Sequence, residues 1–202
     1  MAGSLQTCKQ YAFQSRDKGG LLVARVREFV QADFQIFTWP SALVLSCFLI
    51  SNGDAVSCKK VIEIGAGNGL PSIVSAKLGA TSCLITERDQ QETLNNIRAS
   101  IDLNEDIPEN VCREFPLPWP IEDAKSQTND QRSALKDIDV ILGADVLYSG
   151  EDFGAVIETI SGIMDRSSNE NCVFYCTYQE RSTHRTLVPH LDAHSLSAKQ
   201  VS

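Results

Sequence analysis

A glycine-rich turn separates a short apolar run from a helix-like segment in the first half of the chain. Gly65, Gly67 and Gly69 follow the apolar run 61–64, and the segment 71–78 comes directly after them. Because glycine has no Cβ, a ligand can lie against the bare backbone of such a turn. In open α/β sheets, ligands bind beyond the carboxyl ends of the strands. The turn therefore predicts a small-molecule site at the end of this strand.

The spacing of the glycines narrows the class of ligand. A nicotinamide or flavin fingerprint needs a third small residue at position 70, which is Leu70 here, and the Gly-Lys-Ser/Thr end of a P-loop is absent. Glu63 stands two residues before Gly65, where its carboxylate would repel a pyrophosphate and attract a cation. We therefore expect a positively charged ligand.

A second acid supports this interpretation. Glu87 follows the apolar run 83–86 and comes about twenty residues after the turn, where an acid commonly binds the hydroxyl pair of a ribose. S-adenosylmethionine combines a ribose with a sulfonium and an amino group, so it fits both Glu63 and Glu87. Either carboxylate taken alone could instead be a surface charge at a strand end.

The composition is that of one ordinary globular domain. The chain has 202 residues, of which 43% are hydrophobic and 22% are charged, and this length suffices for a single core. Its 18 basic and 26 acidic residues give a formal charge of −8. This balance argues against direct nucleic-acid binding and is compatible with a basic protein substrate.

Cysteine content and hydropathy bear on the cellular compartment. Seven cysteines, an odd number without a C-x-x-C pair, predict reduced, buried thiols in a cytoplasmic and nuclear protein. The N-terminal residues show no secretory signal, and the longest apolar run, 42–50, is too short to cross a bilayer. His184, His190 and His194 lack the compact spacing of a metal site, so no metal is expected.

Apolar runs and helix breakers predict the elements that position these residues. We expect a helix opened by residues 38–41 and ended by residues 52–54, and further helices at 71–78, 90–103 and 151–164. We expect strands at 21–30, 34–37, 60–64, 82–86, 111–115, 138–143 and 172–178. Strands that alternate with helices favour a doubly wound, mostly parallel α/β sheet.

The remaining segments are polar. Residues 1–19 are predicted to form a flexible N-terminal segment, 20–183 the folded domain and 184–202 a tail without further strands. Within the domain, residues 122–137 are expected to form a surface loop, with a helical turn at its end.

Four segments together carry a resemblance to a known family. They are Thr-Trp-Pro-Ser-Ala at 38–42, the turn at 63–69, Leu-Pro-Trp at 117–119 and Gly-Ala-Asp-Val-Leu-Tyr at 143–148. The chain resembles the Rossmann-like class I S-adenosylmethionine-dependent methyltransferases of the methyltransferase-like 21/23 group, and is most similar to the 23 branch. Trp-Pro-x-Ala with Asp-x-x-Tyr is much more specific to this group than the glycine turn. The resemblance covers residues 20–183.

The resemblance implies how the cofactor S-adenosylmethionine would be held. Gly65, Gly67 and Gly69 would pack against its methionine and ribose, with Glu63 nearby. Glu87 would accept hydrogen bonds from the ribose hydroxyls.

It also implies roles for two aromatics and for the Asp-x-x-Tyr motif. Trp119 would line the adenine pocket and Trp39 would cap the cofactor side of the cleft. Asp145 and Tyr148 would face the methyl group and the incoming nucleophile, with Asp145 also beside the cofactor. Both tryptophans could instead be core or rim aromatics, and Asp145 could cap the helix that begins near residue 151.

Members of the group methylate protein side chains, so the resemblance implies a protein substrate such as a histone or a chaperone. Several branches modify lysine, and the 23 branch is associated with arginine, including on histones. The carboxylate of Asp145 would hold the acceptor nitrogen and the ring of Tyr148 would offer a cation–π face. The sequence leaves both kinds of acceptor open.

The chain departs from the group near its end. Members continue past the fifth strand with a helix and two more strands, which residues 184–202 do not resemble. We therefore expect a sheet without its last two strands and an exposed apolar edge at 173–176. The alternative function is a catalytically weak or silent isoform that acts as a binding or regulatory partner.

Overall fold

The computed structural model describes residues 6–14, 20–29, 37–88, 91–121, 128–181 and 184–201. The strands in these ranges are β1 (Gln6–Gln14), β2 (Leu21–Phe29), β3 (Lys60–Glu63), β4 (Ser82–Glu87), β5 (Cys112–Pro116), β6 (Val140–Ala144) and β7 (Val173–Thr177). The helices are α1 (Pro40–Ser51), α2 (Leu70–Lys77), α3 (Gln91–Asp102), α4 (Asn129–Ala134), α5 (Phe153–Met164) and α6 (Val188–Ala193).

The five strands β3 to β7 form one parallel sheet. Their order is β5–β4–β3–β6–β7, and each neighbouring pair runs parallel. The chain builds outward from β3 to β5, returns to the centre and continues through β6 to β7. The strand order therefore reverses between β3 and β6, and a crevice opens at their carboxyl ends. This topology confirms the predicted doubly wound parallel sheet.

The central strands are buried on both faces, which explains why they read as nearly unbroken apolar runs. Side chains alternate between the two faces along each strand. Val61 and Val140 belong to the core on the side of α1 and α2. Their neighbours Ile62 and Ile141 belong to the core on the side of α5.

The N-terminal residues form a hairpin that the sequence analysis did not predict. Strands β1 and β2 pair antiparallel from Gln6 opposite Phe29 to Gln14 opposite Leu21. The prediction of a flexible segment is therefore wrong for residues 6–14. Most side chains of β1 are polar and exposed, and its hydrophobic pattern is short: Tyr11 and Phe13 are partly buried and pack against the core.

Three buried polar side chains of helix α3 and its C-terminal turn bind the backbone of β2. Asn96 Nδ2 donates to the Arg27 carbonyl at 3.0 Å, and the Arg27 N–H donates to Ser100 Oγ at 2.9 Å. Asn104 Oδ1 accepts the Arg25 N–H at 3.0 Å, and its Nδ2 donates to the Arg25 carbonyl at 2.7 Å. The four-residue spacing aligns these side chains on one face. They satisfy backbone groups of β2 and fix the hairpin to the domain.

Some predicted segments differ from the structure or lie outside it. Residues 34–36 of the predicted strand 34–37 are outside the described residues, and Phe37 lies in a bend. The end of the predicted loop 122–137 is helix α4, which begins with a capping box between Thr128 and Gln131. The tail contains the short helix α6, with Pro189 in its first turn.

All seven cysteines are free thiols. The prediction of buried thiols is correct for Cys83 and Cys112 but wrong for Cys8, Cys47, Cys58 and Cys176, which are exposed. Cys8, for example, belongs to the hairpin that the sequence analysis missed.

In the sheet formed by the described residues, β7 is an edge strand. Residues 195–199 and Val201 line a groove beside it without pairing to it. No helix in the described ranges combines the length and the apolar character that a membrane span requires.

Candidate active site

A cavity of about 490 Å³ opens at the carboxyl ends of the parallel strands. This volume lies within the usual range for small-molecule sites. Seven of the nine predicted site residues line it: Trp39, Gly65, Gly67, Glu87, Trp119, Asp145 and Tyr148. They come from the start of α1 and from the ends of β3, β4, β5 and β6, so the topology gathers side chains that lie up to 109 positions apart in the sequence.

Gly65 and Gly69, at the two ends of the glycine turn, have different neighbours that would clash with an added side chain. Gly65 has φ +58°, and a Cβ at this position would lie 2.8 Å from Trp119 Cη2 and 2.9 Å from Val146 Cγ1. Gly69 has φ +78°, directly precedes α2 and does not line the cavity. In the structure this residue lets the chain turn into α2 and pack against Ile85.

Glu87 is buried at the end of β4 and is held by backbone donors. Its Oε1 accepts the Gly67 N–H at 2.9 Å and its Oε2 accepts the Arg88 N–H at 3.1 Å. Burial raises the pKa of this carboxyl above its ordinary value, although both backbone hydrogen bonds oppose the increase. Glu87 thus ties the glycine turn to β4 while it lines the cavity.

Glu63 lies behind the cavity wall rather than in the lining. Its side chain is buried in the core, where Oε2 accepts the Ser72 N–H at 2.9 Å, and it does not line the cavity. Burial raises the pKa of this carboxyl to about 8, against the opposing hydrogen bonds from Ser72, and the nearby Glu87 adds to the increase. Its carboxylate accepts a backbone N–H from the first turn of α2, the helix that directly follows the glycine turn.

We predict that Glu63 makes the protein less stable as the pH rises. An acid whose pKa is raised by folding stabilises the native state fully below its unfolded pKa, and loses that contribution as the pH rises through the folded pKa. Between pH 5 and pH 8 the free energy of unfolding should fall by roughly 3 kcal/mol.

Denaturant unfolding at several pH values measures this slope. Glu63→Gln should largely remove it, whereas Glu151→Gln, a change at an exposed carboxylate, should leave it intact. A wild-type stability that is constant or increases over this pH range would contradict the prediction.

Trp119 and Arg88 form one wall of the cavity. The Arg88 guanidinium lies 5.2 Å from the Trp119 ring centroid, and its Nη2 is 3.8 Å from Asp152 Oδ1. The Trp119 indole N–H is buried and has no hydrogen-bond partner in the described part of the chain. This wall therefore combines an aromatic face with a cation and a polar atom available to a ligand.

The opposite wall is anchored to the hairpin through Glu28. The buried Glu28 carboxylate accepts the Thr38 N–H at 3.0 Å and pairs with Lys9 Nζ at 2.7 Å. Asn68 Nδ2 donates to Thr38 Oγ1, which joins the same segment to the glycine turn. These contacts fix the position of Trp39, the next residue and a member of the cavity lining.

Asp145 follows β6 in an unusual backbone conformation. Its φ of +58° lies in the left-handed region, which costs energy for a residue other than glycine although Asp tolerates it better than most. Its N–H donates to the Thr177 carbonyl at 3.1 Å. Asp145 Oδ2 also accepts a hydrogen bond from Arg181 Nη2 at 2.6 Å. Strain of this kind at a cavity is a common feature of functional sites.

The cavity lining includes residues that the sequence analysis did not identify, among them Phe37, Asn68, Arg88 and Arg181. Asn68 and Arg88 directly neighbour predicted residues, so proximity in the sequence could have suggested them. Arg181 lies in the segment Thr-Tyr-Gln-x-Arg-Ser at 177–182, which also resembles the family, but no role in the site followed from that resemblance. Only the fold brings this residue to Asp145, 36 positions away. Tyr148 lies at the mouth, with 46% of its surface exposed.

A family model described as "Lysine methyltransferase" matches residues 24–190, which include every residue placed in the cavity above. The chain belongs to this family. The resemblance inferred from the motifs is therefore confirmed, and so is the Rossmann-like fold class.

Two sequence relatives and one solved structure show how similar known proteins are to this chain. "Histone-arginine methyltransferase METTL23" of Xenopus laevis is 31% identical over 157 residues, 78% of this chain and 62% of that protein. "Protein-lysine methyltransferase METTL21E" of Mus musculus is 39% identical over 119 residues, 56% of this chain and 45% of that protein. The solved structure "Crystal structure of SMU.776, a putative methyltransferase complexed with SAH" shares the fold with a TM-score of 0.61 at 14% identity, covering 87% of this chain and 45% of that chain.

The chain spans about three fifths of the length of the first curated relatives that it matches, 62% and 60%. The relatives' printed activities differ in the acceptor residue, arginine in one and lysine in the other. Family membership thus leaves the acceptor to be argued from this chain's own residues.

Proposed function

We propose that the cavity binds S-adenosylmethionine and that the chain transfers its methyl group to a side-chain nitrogen of a protein, on arginine, as in a histone, or on lysine. The observation that carries this proposal is the single cavity shared by Gly67, Glu87, Trp119 and Asp145. Bound there, the cofactor would supply a methyl group already activated by its sulfonium.

The residues present fit such a ligand. Glu87 offers a buried carboxylate suited to a hydroxyl pair, and Trp119 offers both an aromatic face and an indole N–H without a partner in the described residues. The bare backbone of Gly67 allows close approach. Family membership over residues 24–190 supports the same ligand class.

The other half of the cavity would position the acceptor. Asp145, with only 11% of its side chain exposed, would orient the nitrogen, and Tyr148 at the mouth would contact the acceptor side chain. Phe37 and Trp39, whose ring centroids are 6.1 Å apart, would close one side against water. The acidic net charge of −8 suits a basic protein surface. The free thiols suit the cytoplasm and nucleus as the place of action.

Isothermal titration calorimetry with S-adenosylmethionine and S-adenosylhomocysteine tests the cofactor site. We expect micromolar binding that Gly67→Arg abolishes, because the new side chain would enter the cavity. Gly53→Arg makes the same change at a half-buried position outside the cavity, and should bind normally. Folded wild-type protein that binds neither ligand would contradict the proposal.

The acceptor class is tested with tritiated-methyl S-adenosylmethionine and separated protein, RNA and small-molecule fractions of a cell lysate. We expect label in the protein fraction alone. Label in RNA or small molecules would assign a different substrate. Cofactor binding without transfer to any fraction would favour a silent isoform that acts as a binding partner.

A further inference from the structure

The cavity already contains a cation at the residue expected to face the acceptor. Arg181 Nη2 lies 2.6 Å from Asp145 Oδ2, and both residues line the cavity. Asp145 is largely buried, whereas 37% of the Arg181 side chain is exposed. Asp145 directly follows β6, whereas Arg181 lies four residues beyond the end of the adjacent strand β7. The parallel pairing of β6 and β7 brings the two segments to the same edge of the sheet.

The charges that line the cavity in the described residues balance. Glu87 and Asp145 are the acids, and Arg88 and Arg181 are the bases. The carboxylate of Glu87 is bound by two backbone N–H groups and that of Asp145 by Arg181. At the rim, Asp152 lies near Arg88, and Arg185 donates to the Tyr148 carbonyl at 2.9 Å. Each lining carboxylate in the described ranges therefore has a partner before any acceptor arrives.

This balance of charges favours an acceptor nitrogen that can lose its proton over one that stays protonated. A guanidinium stays protonated in proteins, so an arginine acceptor would add a permanent positive charge beside Arg181 without a free carboxylate to offset it. A lysine amine has an ordinary pKa of about 10.4 and can lose its proton. A neighbouring cation lowers the pKa of such an amine, and the sulfonium of a bound cofactor acts in the same direction.

We propose that Arg181 determines acceptor specificity: by neutralising Asp145 it disfavours cationic nitrogens, so that the acceptor reacts as the neutral amine of a lysine side chain. The inference rests on the proposed function. The lysine releases its proton to solvent before transfer. Its lone pair then forms the N–C bond to the methyl carbon while the C–S bond breaks, and the electron pair of that bond stays on sulfur.

Two variants test this role. Arg181→Gln removes the charge and leaves Asp145 free to stabilise an ammonium, whereas Arg181→Lys keeps a cation. Arg98→Gln is the matched control, because it removes an arginine from an exposed ion pair with Glu114 outside the cavity. The acceptor probe is unfractionated lysate protein with labelled S-adenosylmethionine at saturation. After acid hydrolysis, labelled methyllysine and methylarginine are separated and counted.

We expect the wild type and Arg98→Gln to form methyllysine. Arg181→Gln should form it about tenfold more slowly at pH 7.5 and recover at high pH, because its pH–rate profile moves up by about one unit. Arg181→Lys should retain the wild-type profile. A purely structural role would lower the rate at every pH without moving the profile.

The outcomes separate this inference from the proposed function. Methylarginine as the main wild-type product would overturn the inference and leave the protein methyltransferase function in place. An unmoved profile in Arg181→Gln would also overturn it. Cofactor binding without label in any protein between pH 7 and pH 9.5 would overturn both.

Discussion

Asp145→Asn is expected to lower the rate of methyl transfer by about 100-fold or more. Asparagine has nearly the same shape as aspartate and tolerates the left-handed conformation that residue 145 adopts, with φ +58°. The substitution therefore preserves the backbone and the contact of the residue's N–H with the Thr177 carbonyl. It removes the negative charge that compensates Arg181, so that an unpaired cation would face the acceptor, and it replaces one of the two carboxylate oxygens that would orient the acceptor.

Single-turnover transfer of labelled methyl groups to lysate protein measures this loss, and calorimetry measures cofactor affinity in parallel. We expect a much smaller loss of cofactor affinity than of rate, since Glu87 and the glycine turn are untouched. Asp130→Asn is a suitable control, because it changes an exposed aspartate on α4 that does not line the cavity. A variant that transfers at the wild-type rate would remove Asp145 from the reaction.

Gly65→Ala is expected to reduce both stability and cofactor affinity. The new methyl group would lie 2.8 Å from Trp119 Cη2 and 2.9 Å from Val146 Cγ1, on a backbone with φ +58°. Overpacking of this kind costs about 1–3 kcal/mol, and a left-handed conformation adds about 1–2 kcal/mol for a residue with a Cβ. Because the rigid indole of Trp119 must move, the wall of the cavity moves with it.

We therefore expect the free energy of unfolding to fall by about 2–5 kcal/mol and the affinity for S-adenosylmethionine to fall at least tenfold. Urea unfolding and calorimetry measure the two effects. Gly53→Ala is the matched control, since the nearest atom to its new methyl group, Leu78 Cδ2, is 3.9 Å away. Equal losses in both variants would show that the contact with Trp119 is unimportant.

The sequence predicted the main elements of the parallel sheet because their signals are local. A strand buried on both faces must be apolar along its whole length, and a sharp turn into a helix needs glycine. The hairpin strand β1 had only a short local signal, the alternating Tyr11 and Phe13. Its pairing with β2 comes from backbone hydrogen bonds that its polar residues make equally well. Its attachment through Asn96, Ser100 and Asn104 also depends on side chains far from β2 in the sequence.

The sequence by itself determined that Gly65, Gly67, Glu87 and Asp145 stand at strand ends, and parallel strands bring such ends to one edge of a sheet. Only the tertiary structure decided what each side chain contacts. It turned Glu63 into the core against Ser72 and brought Arg181 to Asp145. The physical reason is that the alternation of residues along a strand and the positions of the glycines determine only the local course of the chain. Which group a carboxylate contacts depends instead on which strands are neighbours in the sheet.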